Sequence, residues 1–248
     1  MPEASAVAVI FAGGIGSRMK RAEEPKQFLW VDGKPILVHT LEHFQAHPEV
    51  TAIYLSVLSS HLDSTWGLVE EFGIDKVRSV VPGGRSAQGS IHNGLQSAVR
   101  DGVPSDAVVL IHDGVRPLIN QELITRNIET AREHGNAISA IPCYETIARS
   151  VDGAVTVESV TRREEMHVLQ APQTFRLGPV AGLNARSVEE GLLGTFVDQA
   201  ELVRHYGDKL YLVAGLRGNV KITTDFDLLQ FRVLTESGHL SSVIGDLP

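Results

Sequence analysis

The chain has 248 residues, with 22 Lys and Arg against 30 Asp and Glu and a formal net charge of -8. That length accommodates one α/β domain with a well-buried core, while the negative balance excludes general adhesion to nucleic acid or to an anionic membrane. Any phosphate ligand must therefore be met by a few locally concentrated cations. The first apolar run, 6–12 (AVAVIFA), reads as a strand and is too short for a signal core or a membrane span. Helical periodicity at 35–47 is followed by a β-branched run at 50–58, a helix at 61–73 and a strand at 76–82. A helix at 86–100, a strand at 107–112, a helix at 121–135 and a strand at 136–142 continue the rhythm. Strict alternation predicts a Rossmann-like α/β fold, a mainly parallel sheet with helices on both faces, and ligands at the carboxyl ends of its strands. Cys143, the only cysteine, has no partner for a disulfide or a thiolate zinc site and reads as a small core residue of a soluble, cytoplasmic protein. Residues 144–175 break the rhythm with polar-apolar alternation around Asp152-Gly153, which predicts a protruding β-arm. A last portion predicts helices near 178–190 and 196–206, strands at 209–215 and 220–224, and a closing helix from Asp225.

Directly after the first strand stand Ala12-Gly13-Gly14-Ile15-Gly16-Ser17-Arg18-Met19 and then Pro25-Lys26-Gln27. Glycines at a strand end let the backbone turn tightly and aim N–H groups at an anion. A dinucleotide fingerprint needs a small residue at position 19, where Met19 stands, and no Gly-Lys-Ser/Thr follows to make a Walker loop. Instead the loop adds two cations, Arg18 and Lys26, suited to a triphosphate lying across it. Two readings of another class stay open: a nicotinamide-dependent dehydrogenase, against which Met19 argues, and a nucleotide-binding module without chemistry.

The loop, the Pro-Lys-Gln run and Ile111-His112-Asp113-Gly114-Val115-Arg116-Pro117 together resemble the cytidylyltransferases of alditol phosphates, the ribitol 5-phosphate and methylerythritol 4-phosphate enzymes among them. Gly83-Gly84 with Ser90, Glu145-Thr146-Ile147, Arg163, Pro172-Gln173, Asp198-Gln199-Ala200 and 219–223 (NVKIT) follow in the same order. The pattern departs at Arg85, which follows Gly84 at once and leaves Ala87 where the family places an arginine, and at Glu145 in place of an aspartate.

The resemblance implies one nucleotidyltransferase domain over 1–248, acting on CTP with Mg²⁺, and a homodimer whose arm at about 144–170 enters the partner's site. Ala12, Gly13, Gly14 and Gly16 would hold the triphosphate, and Gly84 and Ser90 would lie near cytosine and ribose. Arg18, Lys26 and Lys221 would be the catalytic cations and Asp113 the metal ligand. Arg116, Thr146, Arg163, Thr195 and Asp198 would bind the acceptor. His112, on a buried strand, reads as a core histidine, and no HExxH pair suggests zinc. The triplet 12–14 (AGG), Val115 before Arg116-Pro117, and Ala148 after Thr146-Ile147 lean towards D-ribitol 5-phosphate as acceptor, with 2-C-methyl-D-erythritol 4-phosphate as the alternative.

Overall fold

The computed structural model describes residues 6–14, 24–153, 155–238 and 240. In chain order it holds β1 (Ala6–Ala12), a small ladder of β2 (Trp30–Val31) and β3 (Lys34–Pro35), α1 (Ile36–Ala46), β4 (Val50–Val57), α2 (Leu62–Glu71) and β5 (Val77–Pro82). Then come α3 (Ala87–Arg100), β6 (Val108–Asp113), α4 (Gln121–His134) and β7 (Asn136–Pro142). A second small ladder joins β8 (Ala148–Arg149) to β9 (Ser159–Val160), and β10 (His167–Arg176), α5 (Leu177–Glu189), α6 (Gln199–His205), β11 (Leu212–Ala214) and α7 (Asp225–Glu236) complete the order. Seven strands form one sheet in the order β11-β7-β10-β6-β1-β4-β5. β10 runs antiparallel to both neighbours, and the other pairings are parallel.

The near-continuous apolar runs expected of a strand covered on both faces are what β1, β4 and β6 carry. Alternate side chains of β1 feed opposite cores: Ala8 and Ile10 pack with Leu37, Leu41 and Phe44, and Val7 and Val9 with Tyr54, Ile91 and Leu95. Each such Leu, Ile or Phe contributes about 1.5–3 kcal/mol by leaving water. Side-chain caps set where helices begin: Ser86 accepts from the Gly89 N–H, Asn120 from Leu123, Asp198 from Glu201, and Thr224 forms a capping box with Asp227.

Three expectations are corrected. The sequence pattern placed residues up to 175 in the arm, but from His167 the chain enters the sheet as β10. Its buried polar residues hid it: Thr174 donates to Asn127 Oδ1 at 3.2 Å, and Ser139 beside it donates to the Pro172 carbonyl at 2.8 Å, so polarity there signals internal pairing, not solvent. The predicted strand at 220–224 is not one. That segment lies against the loop after β6, where the Ile222 N–H donates to the Val115 carbonyl at 2.9 Å. β11 is also shorter than expected, because Asn136 takes the Lys209 carbonyl and the Tyr211 N–H with its side chain in place of a backbone ladder.

Candidate active site

The carboxyl ends of β1, β4, β5 and β6 meet at one edge of the sheet, and antiparallel β10 brings its starting half to the same edge, with Gln173 opposite Ile111. Two cavities open there. The larger, about 640 Å³, is lined by Gly13, Gly14, Lys26, Gly84, Arg85 and Ser90 among others. The smaller, about 220 Å³, is lined by Gln170, Gln173, Asp198 and Gln199 among others. Phe11, Ala87, Asp113 and Lys221 border both, so the cavities adjoin at the Asp113–Lys221 pair.

The glycine loop is shaped by a residue whose role the sequence did not disclose. Gln27, buried behind the loop, donates from Nε2 to the Ala12 carbonyl at 2.7 Å and to the Gly14 carbonyl at 3.3 Å. Because the peptide is planar and trans, an Ala12 carbonyl turned to Gln27 sends the Gly13 N–H the opposite way. On the other wall a Cβ on Gly13 would stand 2.7 Å from Ser90 Oγ, and one on Gly84 2.6 Å from Gly89 Cα, so these two glycines are required by close packing between loops. Ser90 Oγ accepts from the Gly84 N–H and donates to the Ser86 carbonyl, each at 3.1 Å. Its hydroxyl therefore holds the second glycine loop in place. Arg85, exposed, also borders the larger cavity one residue beyond Gly84, and Ala87 borders both. Gly16 and Arg18 lie outside the described residues.

At the junction Asp113 is buried between two cations. Arg116 Nε donates to Oδ2 at 3.0 Å, and Lys221 Nζ pairs with Oδ1. Burial alone would raise the Asp113 pKa, but Lys221 first and Arg116 second outweigh it and hold the carboxyl down at about 2. Arg116 also donates from Nη1 to the Asn219 carbonyl at 2.8 Å, so this expected acceptor ligand is engaged in building the site. The loop bearing Lys221 is fastened to β10: Gln170 Nε2 donates to the Leu216 carbonyl at 2.9 Å and the Asn219 carbonyl at 3.1 Å. His112 is fully buried, its Nε2 at 3.1 Å from the Arg116 carbonyl, and burial lowers its pKa to about 4. It is a neutral core histidine, as read.

Residues 6–236 match the family described as IspD: 2-C-methyl-D-erythritol 4-phosphate cytidylyltransferase. The chain belongs to this cytidylyltransferase family. A ribitol-5-phosphate cytidylyltransferase of Streptococcus agalactiae serotype Ia is 38% identical over 239 residues, covering 96% of this chain and 99% of that one. A 2-C-methyl-D-erythritol 4-phosphate cytidylyltransferase of Geotalea uraniireducens is 41% identical over 223 residues, 90% of this chain and 93% of that one. Among solved structures, the 2-C-methyl-D-erythritol 4-phosphate cytidylyltransferase of Thermus thermophilus is similar with a TM-score of 0.74 at 26% identity, covering 94% of this chain and 99% of that one.

The remaining expected residues of this cytidylyltransferase divide by position. Asp198 borders the smaller cavity while capping α6, both at once. Thr195 is exposed, donates to the Leu192 carbonyl at 2.8 Å and lines neither cavity. Thr146 and Arg163 are exposed on the arm, outside both cavities. Among the described residues no three His, Cys, Asp or Glu side chains group to hold a metal, and none of the helices is long and apolar enough to cross a membrane. Among those residues Asp113 is thus the single carboxylate at the junction. Each of its oxygens keeps a lone pair beyond its ion pair, a donor set that fits a hard divalent ion arriving with phosphate oxygens.

Proposed function

We propose that this cytidylyltransferase joins the cytidylyl group of CTP to the phosphate of D-ribitol 5-phosphate, releasing pyrophosphate and forming CDP-ribitol. The observation that carries the reading is the pair of cavities meeting at Asp113 and Lys221, one walled by glycine loops and Lys26, the other by amides and the Asp198 carboxylate. The nucleotide takes the larger and the polyol the smaller, so the acceptor phosphate meets the α-phosphorus at the junction. An acceptor phosphate with its second pKa of about 6 is already mostly dianionic, so its oxygen attacks without a general base. What the enzyme supplies is charge compensation: Arg18 and Lys26 on the triphosphate side, and Lys221 exchanging Asp113 for phosphate oxygens as the substrates arrive. Mg²⁺, when bound, would rest on Asp113 and the phosphates and neutralise the charge growing on the leaving group.

We further propose a cytoplasmic homodimer in which the 144–170 arm brings Thr146 and Arg163 to the acceptor phosphate in the partner's site. Their exposure in this chain supports that reading. D-ribitol 5-phosphate is favoured because relatives named for it match over 96% of the chain. The second reading, 2-C-methyl-D-erythritol 4-phosphate, is supported by the Geotalea relative's higher identity. The acceptors differ in chain length and one methyl branch, and a methyl is worth only about 1–3 kcal/mol in a pocket. Pyrophosphate release from CTP and Mg²⁺ with each acceptor, and with UTP, ATP and GTP replacing CTP, tests the proposal. The expected result is the highest kcat/KM with CTP and D-ribitol 5-phosphate. A clear advantage for the methylerythritol acceptor overturns the substrate, and equal rates with ATP overturn the nucleotide.

A further inference from the structure

Gln173 sits in the middle of the sheet, paired through its backbone with Ile111 on one side and Ile138 on the other, and its side chain is buried. Nε2 donates to Asp198 Oδ2 at 2.8 Å, and Oε1 accepts from the Ala200 N–H at 3.0 Å. This orientation of the amide is the only one both partners allow. Turned over, its oxygen would face the carboxylate and its NH₂ would face another N–H. Asp198 is held from the other side as well, since Oδ1 accepts from the Glu201 N–H at 2.9 Å. Two bonds from two elements, β10 and the first turn of α6, leave the carboxylate no freedom to rotate.

An ionised carboxylate accepts about four hydrogen bonds, so each Asp198 oxygen retains acceptor capacity on the side of the cavity it lines. Among the described residues it makes no ion pair. A fixed carboxylate without a cation repels phosphate and accepts from hydroxyls, and it faces the same cavity as the Lys221 and Arg116 cations. The lining of the smaller cavity therefore combines cations with a separate hydroxyl acceptor.

We propose that Gln173 is a positioning residue that locks Asp198 to receive hydroxyl groups of the polyol acceptor, so that its contribution to acceptor recognition acts through Asp198. The proposal rests on the reading of the smaller cavity as the acceptor pocket. Because neither group touches the nucleotide cavity, its mark is a change confined to the acceptor.

The test is a double-mutant cycle read as separate KM values for CTP and for D-ribitol 5-phosphate, repeated with 2-C-methyl-D-erythritol 4-phosphate, alongside thermal melting. Gln173→Met is expected to raise the acceptor KM about tenfold while the CTP KM stays within about twofold. Asp198→Asn, which keeps the α6 cap, is expected to raise the acceptor KM at least as much. The double variant is expected to match Asp198→Asn alone, since removing the positioned group removes the effect of the residue that positions it. If Gln173→Met does not fold, Gln173→Asn, which withdraws the amide by one methylene, carries the same expectations. Effects that multiply in full, or a CTP KM that rises together with the acceptor KM, overturn the proposal. An Asp198→Asn enzyme with unchanged KM for both acceptors instead overturns the assignment of the smaller cavity, and the proposal falls with it.

Discussion

Asp113 shows how one buried side chain serves several partners, with Arg116 on one oxygen, Lys221 on the other and a cavity to either side. Its carboxyl is kept ionised against the cost of burial by Lys221 and Arg116, and it stands where the two cavities adjoin, which under the proposed function is where substrate phosphates converge. Asp113→Asn is expected to lower kcat roughly a hundredfold while the protein stays folded, because the loss falls on charge compensation in the transition state. Steady-state kinetics at saturating Mg²⁺ beside a melting curve checks this; near-normal kcat removes Asp113 from the chemistry. His39 and His43 carry a different consequence. Burial is the main cause lowering both pKa values, against the raising effect of the carbonyls of Val31 and Pro117 that they bond. A group whose pKa is depressed by folding contributes stability that is full above its unfolded value, 6.5 here, and is lost as pH falls. The melting temperature is therefore expected to fall steadily from pH 7 to pH 5, and a flat profile across that window contradicts it.

At the scale of elements, the site is made by loops pressed against one another. The turn after β1 meets the turn after β5 so closely that side chains do not fit, and Ser90 on α3 and Gln27 in the turn before β2 tie each loop down. Gly84→Ala forces the second loop off the start of α3 and is expected to cost about 1–3 kcal/mol of stability. It is also expected to raise the KM for CTP well above any change for the acceptor, since Gly84 borders only the larger cavity. Urea unfolding and separate KM measurements check both halves; an acceptor KM that moves more than the CTP KM refutes the division of the cavities. The glycines were legible in the sequence because a strand end followed by Gly-Gly has few other uses. Gln27 was not, because its hydrogen bonds run to carbonyls fifteen and thirteen residues away.

For the whole molecule, the arm decides whether one chain is a complete enzyme. Arg163 and Thr146 lie outside both cavities of their own chain, and the arm exposes Val151, Val155, Val157 and Val160 to solvent. If the arm acts in the partner's site, mixing Arg163→Ala with Lys26→Ala subunits, each nearly inactive, leaves one site of the mixed dimer with both residues intact. Activity is expected to return in part on mixing, measured as pyrophosphate release from an isolated heterodimer. No recovery places Arg163 in its own subunit's site or in none.

The sequence by itself determined the alternating architecture, the two glycine loops, Asp113 and the chemistry class. Each is a local signal: apolar period, glycine at a strand end, and ordered motifs read within a dozen residues. Only the tertiary structure decided that 167–176 is a central antiparallel strand and that 220–224 packs as irregular chain against the loop after β6. It alone decided, too, that Arg116 and Lys221 clasp Asp113 and that Gln170 and Gln173 brace the wall of the smaller cavity. The physical reason is plainest in β10 and its two glutamines. A polar residue in a strand looks like a solvent-facing one until the partner that satisfies it, tens of residues distant, is brought into contact by the fold.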